Sequence, residues 1–311
     1  MKRTIALSFI TVLLACSSAL AQTGLKDVLG KYFDVSVALN VDQTRDKSPA
    51  TLQVIHQHFN SVVAENCMMS GELQPREGHF YWNDADAFVR FAEENGLSVH
   101  GHCLVCHTQM PQWMKIGRSG NAPKRKDMIE RLRNHIYAVV GHYKGHVKSW
   151  DVISEAFEDD GSPRPTPWYN AIGMDYFILA FQFAHEADPD AELYYNDYSM
   201  FKPGKRKAVC RLIRLLKDNG YRIDGVGMQN DRGMDSPDGR ELEASIKAFA
   251  AEGVKVSVTE QDLNKQSALE NFSIYNKYRD SISRLCFWSL SDGDAWRNVK
   301  PLLKPIMKMF K

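Results

Sequence analysis

Hydrophobic positions along the chain repeat with two periods, one typical of amphipathic helices and the other of short buried strands. Helical spacing predicts helices over residues 84–95, 128–140, 175–187, 206–219 and 241–252. Short apolar runs predict eight strands, over residues 35–40, 61–66, 97–106, 147–153, 192–196, 223–229, 254–260 and 285–290. Since most of these strands are separated by helices, the pattern predicts a parallel sheet with helices outside it. Eight such units favour an α/β fold of the (β/α)8 TIM barrel type, formed by a single domain over residues 22–311.

Polar and aromatic side chains concentrate where the predicted strands end. Near or just past the carboxyl ends lie Asn40, Glu65, Asn66, His102, Glu155, Asn196, Gln229, Glu260 and Trp288. Barrel enzymes build their active sites from the loops at this end of the strands. The sequence therefore predicts a functional site at the carboxyl end of the barrel.

Two glutamates stand out among these residues. Glu155 directly follows the fourth predicted strand, and Glu260 ends the seventh. An acidic side chain at the end of an apolar strand is costly unless it is paired or functional, and a single one could be structural. Two of them, on strands across the barrel mouth from each other, form a candidate pair for cleaving a glycosidic bond. One carboxyl group would stay protonated as the general acid while the other stays ionised as the nucleophile.

The charge balance bears on two classes of partner. The chain has 39 Lys and Arg residues against 38 Asp and Glu residues, with both signs mixed along its length. This balance gives no electrostatic reason to expect nucleic acid or an anionic membrane surface as a partner. Neither partner is expected, and composition does not determine the oligomeric state.

The first 21 residues have the features of a signal peptide. Lys2 and Arg3 precede a short apolar run over residues 4–15, and Ala19-Leu20-Ala21 is a small-x-small cleavage site. The run 13–16 is also similar to a bacterial lipobox, which would make Cys16 a lipid anchor instead. Both interpretations predict an exported protein, either periplasmic or secreted, and no later segment is expected to span a membrane.

A longer set of motifs resembles glycoside hydrolase family 10, the retaining endo-β-1,4-xylanases. The resemblance extends from Leu25 to Trp296. It includes Glu65-Asn66-x-Met68, Asn196-Asp197-Tyr198, Asp224-Gly225-Val226-Gly227-Met228-Gln229, Phe287-Trp288 and the string Gly101-His102-x-Leu104-Val105-x-His107-x-Gln109-x-Pro111-x-Trp113. It implies a hydrolase that cleaves β-1,4-xylan or a related β-linked plant polysaccharide by double displacement, without a cofactor or metal.

The resemblance also implies roles for single residues. Glu155 would be the acid/base and Glu260 the nucleophile. The substrate-binding residues would be Asn66, His102, Gln109, Ser154, Gln229, Trp288 and Trp296. The alternative for the polar members is a network that only satisfies buried groups, and for the tryptophans it is core packing. Trp150 and Trp168 are expected to belong to the core.

Four positions depart from the family's pattern. Met69, Cys106, Ser154 and Asp231 stand where the family has Lys, Trp, Asn and His. An Asp near Glu260 would, if buried, favour protonation of one carboxylate. Three hypotheses follow: a xylanase with compensating changes, a hydrolase of a different β-linked glycan, or a weak or inactive glycan-binding relative. The presence of both glutamates argues against the last.

The cysteines raise one further question. Cys103-Leu104-Val105-Cys106-His107 matches the haem c attachment motif, and the same cluster with His100 and His102 could suggest zinc. Side chains alternate along a strand, so Cys103 and Cys106 are expected to face opposite sides, which counts against both ligands. Most of the cysteines are expected to be small core residues.

Overall fold

The chain folds into a closed barrel of eight parallel strands. The computed structural model describes residues 23–46, 48–230, 238–261, 268–288 and 293–311, with the backbone alone at 230 and 293–300. The strands are β1 Asp34–Leu39, β2 Ser61–Ala64, β3 Ser98–Gly101, β4 Ser149–Ser154, β5 Glu192–Tyr198, β6 Gly225–Asn230, β7 Lys255–Gln261 and β8 Ile282–Phe287. Each strand pairs with the next in sequence, and β1 pairs with β8, with Asp34 opposite Arg284. The predicted fold class is confirmed.

Helices follow or precede the strands around the outside of the barrel. They are α1 Leu25–Leu29, α2 Val41–Arg45, α3 Pro49–His58, α4 Ser70–Leu73, α5 Asn83–Glu94, α6 Gln112–Lys115, α7 Arg125–His142, α8 Pro167–Ile172, α9 Asp175–Ala187, α10 Pro203–Asp218, α11 Gly239–Ala251, α12 Ala268–Lys277 and α13 Gly293–Met309, with a short 3-10 turn at Arg279–Ser281. Among the described residues, none of these helices is long and apolar enough to cross a membrane.

The strands are hydrophobic because both of their faces are buried. β2 and β4 are buried at every position, as expected for a parallel sheet that encloses a packed interior and is covered by helices. Trp150 and Trp168 are 0% and 3% exposed and belong to the main hydrophobic core. Their expected assignment to the core is confirmed.

The third strand is shorter than predicted. The apolar run 97–106 gives a strand only over Ser98–Gly101, and the peptide between His102 and Cys103 is cis. Contact with β4 resumes further along, where the Leu104 amide donates to the Asp151 carbonyl at 3.0 Å. Because the ladder is interrupted, the side-chain alternation does not run through the segment. Cys103 and Cys106 pack together in one buried cluster, so the expectation that they face opposite sides is wrong.

Gly101 ends β3 directly before His102, and it lies against the ring of Trp150. A Cβ atom at this position would be 2.1 Å from Trp150 Cε3, far inside van der Waals contact. We expect Gly101→Ala to lower the free energy of unfolding by about 1–3 kcal/mol, because the buried ring must shift to admit the methyl group. Urea denaturation at constant pH measures this loss.

Gly141 provides the matched control for Gly101→Ala. It lies in α7, where a Cβ atom would have nothing within 4 Å. Gly141→Ala is expected to raise the free energy of unfolding by about 0.5–1 kcal/mol, because alanine loses less backbone freedom on helix formation. Equal effects of the two substitutions would contradict the steric explanation.

Candidate active site at the carboxyl end of the barrel

Glu155 lies directly after β4 at the barrel mouth, in a left-handed backbone conformation with φ of 57°. Its amide donates to the Asn196 carbonyl at 2.9 Å, and its carbonyl accepts from Arg164 Nε at 2.9 Å. Gln229 Nε2 donates to Glu155 Oε1 at 3.2 Å. Burial raises the pKa of Glu155, and negative charge at Cys106 raises it further. The result is a fixed carboxyl group, 19% exposed, that is biased toward its protonated form.

Glu260 lies in β7 and is 7% exposed. Its backbone position is opposite Gln229 of β6, whose side chain bonds to Glu155. Gln229 thus bonds to Glu155 and lies beside Glu260 in the sheet, so all three residues lie at the same end of the barrel. The charge of Glu260 also contributes to the raised pKa of His102, which places the histidine in its electrostatic neighbourhood.

Asp151 lies between two buried histidines. Its Oδ2 is 2.8 Å from His102 Nδ1, and its Oδ1 is 3.0 Å from His100 Nε2. Asn196 Nδ2 also donates to Asp151 Oδ2 at 3.1 Å, and Thr259 Oγ1 donates to Asn196 Oδ1 at 2.9 Å. Four strands thus contribute to one hydrogen-bonded network below the barrel mouth.

This network separates the protonation states of the two histidines. Burial lowers the pKa of His100 to about 4, so the ring is neutral at pH 7. Burial also lowers the pKa of His102, but the hydrogen bond and charge of Asp151 outweigh it and raise the pKa to about 9. Burial raises the pKa of Asp151, while both histidines together hold it well below its ordinary value. His102 and Asp151 therefore form a buried ion pair.

The ion pair gives a pH-dependent contribution to stability. The folded pKa of His102 is about 9, above the ordinary value of 6.5, so its stabilising contribution is complete below pH 6.5 and disappears as the pH rises through 9. We expect the free energy of unfolding of the parent to fall by an amount on the order of 3 kcal/mol across this window. The His102→Gln variant should not show this fall. Denaturation curves of both proteins between pH 6 and 10 test this. Parallel pH profiles for the two proteins would contradict the assignment.

Asn66 and Gln109 form a pair at the exposed rim of the site. Gln109 has a φ of 47°, and its Nε2 donates to Asn66 Oδ1 at 2.8 Å. The structure thus brings together two residues that are separated by 43 positions in the sequence. Their predicted contact with substrate remains a prediction.

Trp288 directly follows β8 and is half-buried. It packs against a small cluster formed by Ala38, Val63 and Cys286, and its ring meets that of His102 edge to face at 6.1 Å between centroids. The indole therefore belongs to the same end of the barrel as the ion pair. The side chain of Trp296, the residue Asp231 and the segment containing Cys16 lie outside the described residues, so their predicted roles remain predictions.

Three of the atypical positions lie in or beside the site. Met69 and Cys106 form a buried sulfur cluster with Cys103, whose thiol contacts Met69 Sδ at 3.6 Å. Ser154 is 2% exposed, and its hydroxyl makes no hydrogen bond within the described part of the chain. The substitutions thus replace large polar or aromatic groups with sulfur and with a small hydroxyl.

His107 lies between this sulfur cluster and Glu155. Its Nδ1 is 3.7 Å from Glu155 Oε2. The adjacent Cys106 sulfur raises the pKa of His107 although burial lowers it. Contacts with Cys103, then with His107 and Thr108, lower the pKa of the Cys106 thiol despite its burial. A polarised thiol and imidazole thus lie beside the carboxyl group of Glu155.

Sequence reasoning did not single out Asp151 or His107. Asp151 lies inside an apolar strand, four residues before Glu155, and is 1% exposed. An acid inside a predicted apolar strand, with two histidines in the predicted strand before it, was the available signal. His107 belongs to a motif that was recognised, but its proximity to Glu155 depends on how the loop after β3 folds.

Comparison with known proteins agrees with the geometry. A profile for Glycosyl hydrolase family 10 matches residues 24–307. Endo-1,4-beta-xylanase A from Xylanibacter ruminicola is 42% identical and aligns with 93% of this chain and 94% of its own length. Two other curated relatives are longer, and the chain spans 46% and 28% of their lengths.

Solved structures give the same result. A family 10 endoxylanase retrieved from a sugarcane soil metagenome is 31% identical, with a TM-score of 0.83 over 93% of this chain and all of the other. An intracellular xylanase from Thermoanaerobacterium saccharolyticum, solved as a glutamate-to-alanine variant with xylotetraose, is 32% identical, with a TM-score of 0.77 over 88% of this chain and 91% of its own. The chain belongs to glycosyl hydrolase family 10, and the prediction that it is a glycoside hydrolase is confirmed.

Proposed function

We propose that the protein is a retaining endo-β-1,4-xylanase in which Glu155 is the acid/base and Glu260 the nucleophile. The observation that carries this proposal is the placement of Glu155, with its raised pKa, at the same barrel end as Glu260, whose strand neighbour Gln229 bonds to Glu155. The relatives named xylanases supply the substrate class. The xylotetraose complex of one relative also supports an extended oligosaccharide as the ligand.

The chemistry proceeds in two displacements. In the first, protonated Glu155 transfers its proton to the glycosidic oxygen while Glu260 attacks the anomeric carbon, so the leaving sugar departs and a glycosyl ester forms. In the second, ionised Glu155 takes a proton from water, which attacks the anomeric carbon and releases Glu260. Two inversions give net retention of configuration.

The surrounding residues have supporting roles in this proposal. Gln229 orients the Glu155 carboxyl through its 3.2 Å hydrogen bond. His102, held by Asp151, provides a cationic donor near Glu260 and the sugar. The half-buried ring of Trp288 offers an apolar wall for the face of a pyranose. Asn66 and Gln109 at the rim would bind sugar hydroxyls, and Trp296 would add a second aromatic wall.

A second candidate is a hydrolase of a different β-linked glycan. The observation in its favour is the altered lining around Glu155, where the buried Ser154 hydroxyl has no hydrogen bond to the described part of the chain and Met69 and Cys106 are sulfur-containing. A small hydroxyl and a thioether cannot make the same hydrogen bonds to a sugar as an amide and an ammonium group. Such a lining could select a sugar with a different substituent.

The processing of the chain is also a proposal. Residues 1–21 would be removed on export, and 22–311 would form one catalytic domain in the periplasm or outside the cell. The charged start, apolar run and small-x-small site support this. Mass spectrometry of the protein expressed with its own leader would give Gln22 as the first residue. A mass that corresponds to a diacylated Cys16 would support the lipid anchor instead.

Hydrolysis of a panel of β-linked polysaccharides and oligosaccharides tests the proposed function. Release of xylo-oligosaccharides from xylan, with the new reducing ends appearing first as the β-anomer by proton NMR, is the expected result. Turnover only of another β-glycan would support the second candidate. Binding without turnover on any substrate would leave a glycan-binding protein, and initial α-anomers would contradict the double displacement.

A further inference from the structure

Three ligand-type side chains converge beside the barrel mouth. Cys106, His107 and Glu155 each offer one sulfur, nitrogen or oxygen atom, and these atoms all lie within 4.8 Å of one another. His107 Nδ1 and Glu155 Oε2 are 3.7 Å apart. The Nδ1 atom is buried and makes no hydrogen bond of ordinary geometry within the described residues. Among the described residues, this nitrogen is thus not committed to an ordinary hydrogen bond.

The donor set matches the preference of zinc. A tetrahedral zinc with ligands at about 2.0–2.3 Å places pairs of ligand atoms roughly 3.3–3.8 Å apart. The His107–Glu155 distance already falls in this range, and the remaining separations require side-chain shifts of about 1 Å. Thiolate and imidazole ligands favour zinc over magnesium or calcium, which prefer oxygen.

The surroundings of the cluster also suit a bound cation. Cys103 packs against Cys106 in the same buried sulfur cluster and offers a further thiol close by. Arg164 is the nearby positive charge that acts on His107, and its guanidinium is directed to the Glu155 carbonyl and the Tyr198 hydroxyl. The arginine is thus held by other partners rather than by the Glu155 carboxylate.

We propose that Cys106, His107 and Glu155 form a binding site for zinc or a similar thiophilic divalent cation, and that bound metal inhibits the enzyme. On coordination, the Cys106 sulfur, the His107 ring nitrogen and the Glu155 carboxyl release to solvent whatever protons they carry, and no redox step is involved. The inhibition rests on the proposed function, because the metal would occupy the carboxylate oxygen that must carry the proton. The binding itself does not depend on that role.

The binding test uses the metal-free full-length protein, kept reduced so that no disulfide forms between Cys103 and Cys106. Calorimetric titration with zinc chloride is expected to show one equivalent bound, and cobalt(II) is expected to give a thiolate-to-metal charge-transfer band. Cys106→Ala should lose both signals. Cys210→Ala, a cysteine on α10 outside the cluster, should keep them. Absence of stoichiometric binding, or equal binding by the Cys106→Ala variant, would overturn the proposal.

The activity test separates inhibition from binding. Zinc should abolish xylan hydrolysis by the parent protein, and a chelator should restore it. Cys106→Ala, compared with its own zinc-free rate, should be insensitive to the same zinc concentration. Thermal unfolding monitored by circular dichroism establishes that the variant is folded. Stoichiometric binding to a protein that hydrolyses no glycan would refute the proposed function but leave the site, whereas full activity of the zinc-saturated parent would refute the inhibition.

Discussion

Replacing Glu155 by Gln is expected to lower kcat on xylan by about 10²–10⁴, because the departing sugar loses its proton donor. The loss in the first displacement should be far smaller for an aryl β-xylobioside with an acidic phenol, since such a leaving group departs without protonation. The raised pKa of Glu155 also predicts how the reaction rate depends on pH, because only the protonated carboxyl can act as the acid. The alkaline limb of the parent's kcat/KM profile should reflect loss of this proton and should disappear in Glu155→Gln.

Two further variants make the assignment of Glu155 specific. Glu260→Ala removes the attacking carboxylate, so activity should be lost on xylan and on the aryl substrate alike. Glu192→Gln makes the same chemical change as Glu155→Gln at the amino end of β5, away from the barrel mouth, and should leave kcat unchanged. An equal loss of kcat/KM, which reports the first displacement, for both substrate types in Glu155→Gln would contradict its role as the proton donor.

Replacing Lys205 by Met is expected to lower the free energy of unfolding by about 3–5 kcal/mol at pH 8. Lys205 Nζ lies 3.0 Å from Asp197 Oδ1, and both side chains are 0% exposed. Burial raises the pKa of Asp197 to about 6 even with the lysine present. Without the cation, Asp197 must either stay charged in the interior or take up a proton, and both are costly at this pH.

The pH dependence of this loss identifies its cause. Below pH 6 a protonated Asp197 no longer needs a cation, so the difference between Lys205→Met and the parent should shrink as the pH falls from 8 to 5. Chemical denaturation at both pH values measures it. Lys148→Met is the control, because the Lys148–Asp34 pair is 48% and 27% exposed and should contribute about 0–1 kcal/mol. A pH-independent loss would indicate lost packing rather than an uncompensated charge.

The buried Lys205–Asp197 pair also contacts the segment next to the active-site residue Glu155. Asp197 Oδ2 accepts from the Phe157 amide at 3.4 Å and from the Tyr195 hydroxyl at 2.5 Å, and that hydroxyl in turn accepts from the Ala156 amide at 3.1 Å. These bonds fix the segment that directly follows Glu155. Lys205 thus pairs with the carboxylate that anchors this segment.

The barrel could be predicted because its signal is local. Each strand is a short apolar run buried on both faces, and helical spacing marks the segments between them. All eight predicted strands therefore exist, although their bounds differ, and the helix Asp175–Ala187 matches its predicted bounds. The last strand was displaced, since Ile282–Phe287 begins three residues before the predicted run. Ser283 and Arg284 interrupt the apolar pattern there. Arg284 is nevertheless buried, and its guanidinium donates hydrogen bonds to other strands.

The site was predictable in its composition but not in its contacts. Position at strand ends and motif resemblance brought out Glu155, Glu260 and Gln229, and the structure brings these three together. The proximity of Cys106 to Cys103 could not be predicted, because it depends on where the β3 ladder breaks. Side-chain alternation applies only within a continuous strand.

The pairing of β1 with β8 has a consequence for the synthesis of the chain. Asp34 reaches its partner Arg284 only after nearly the whole sequence has left the ribosome, which takes on the order of tens of seconds. During that time the edge of β1 that will bond to β8 has no partner strand, and it can pair with another chain. The yield of folded protein in a host cell should therefore depend more on chaperones and on a low rate of expression than on the stability of the finished barrel.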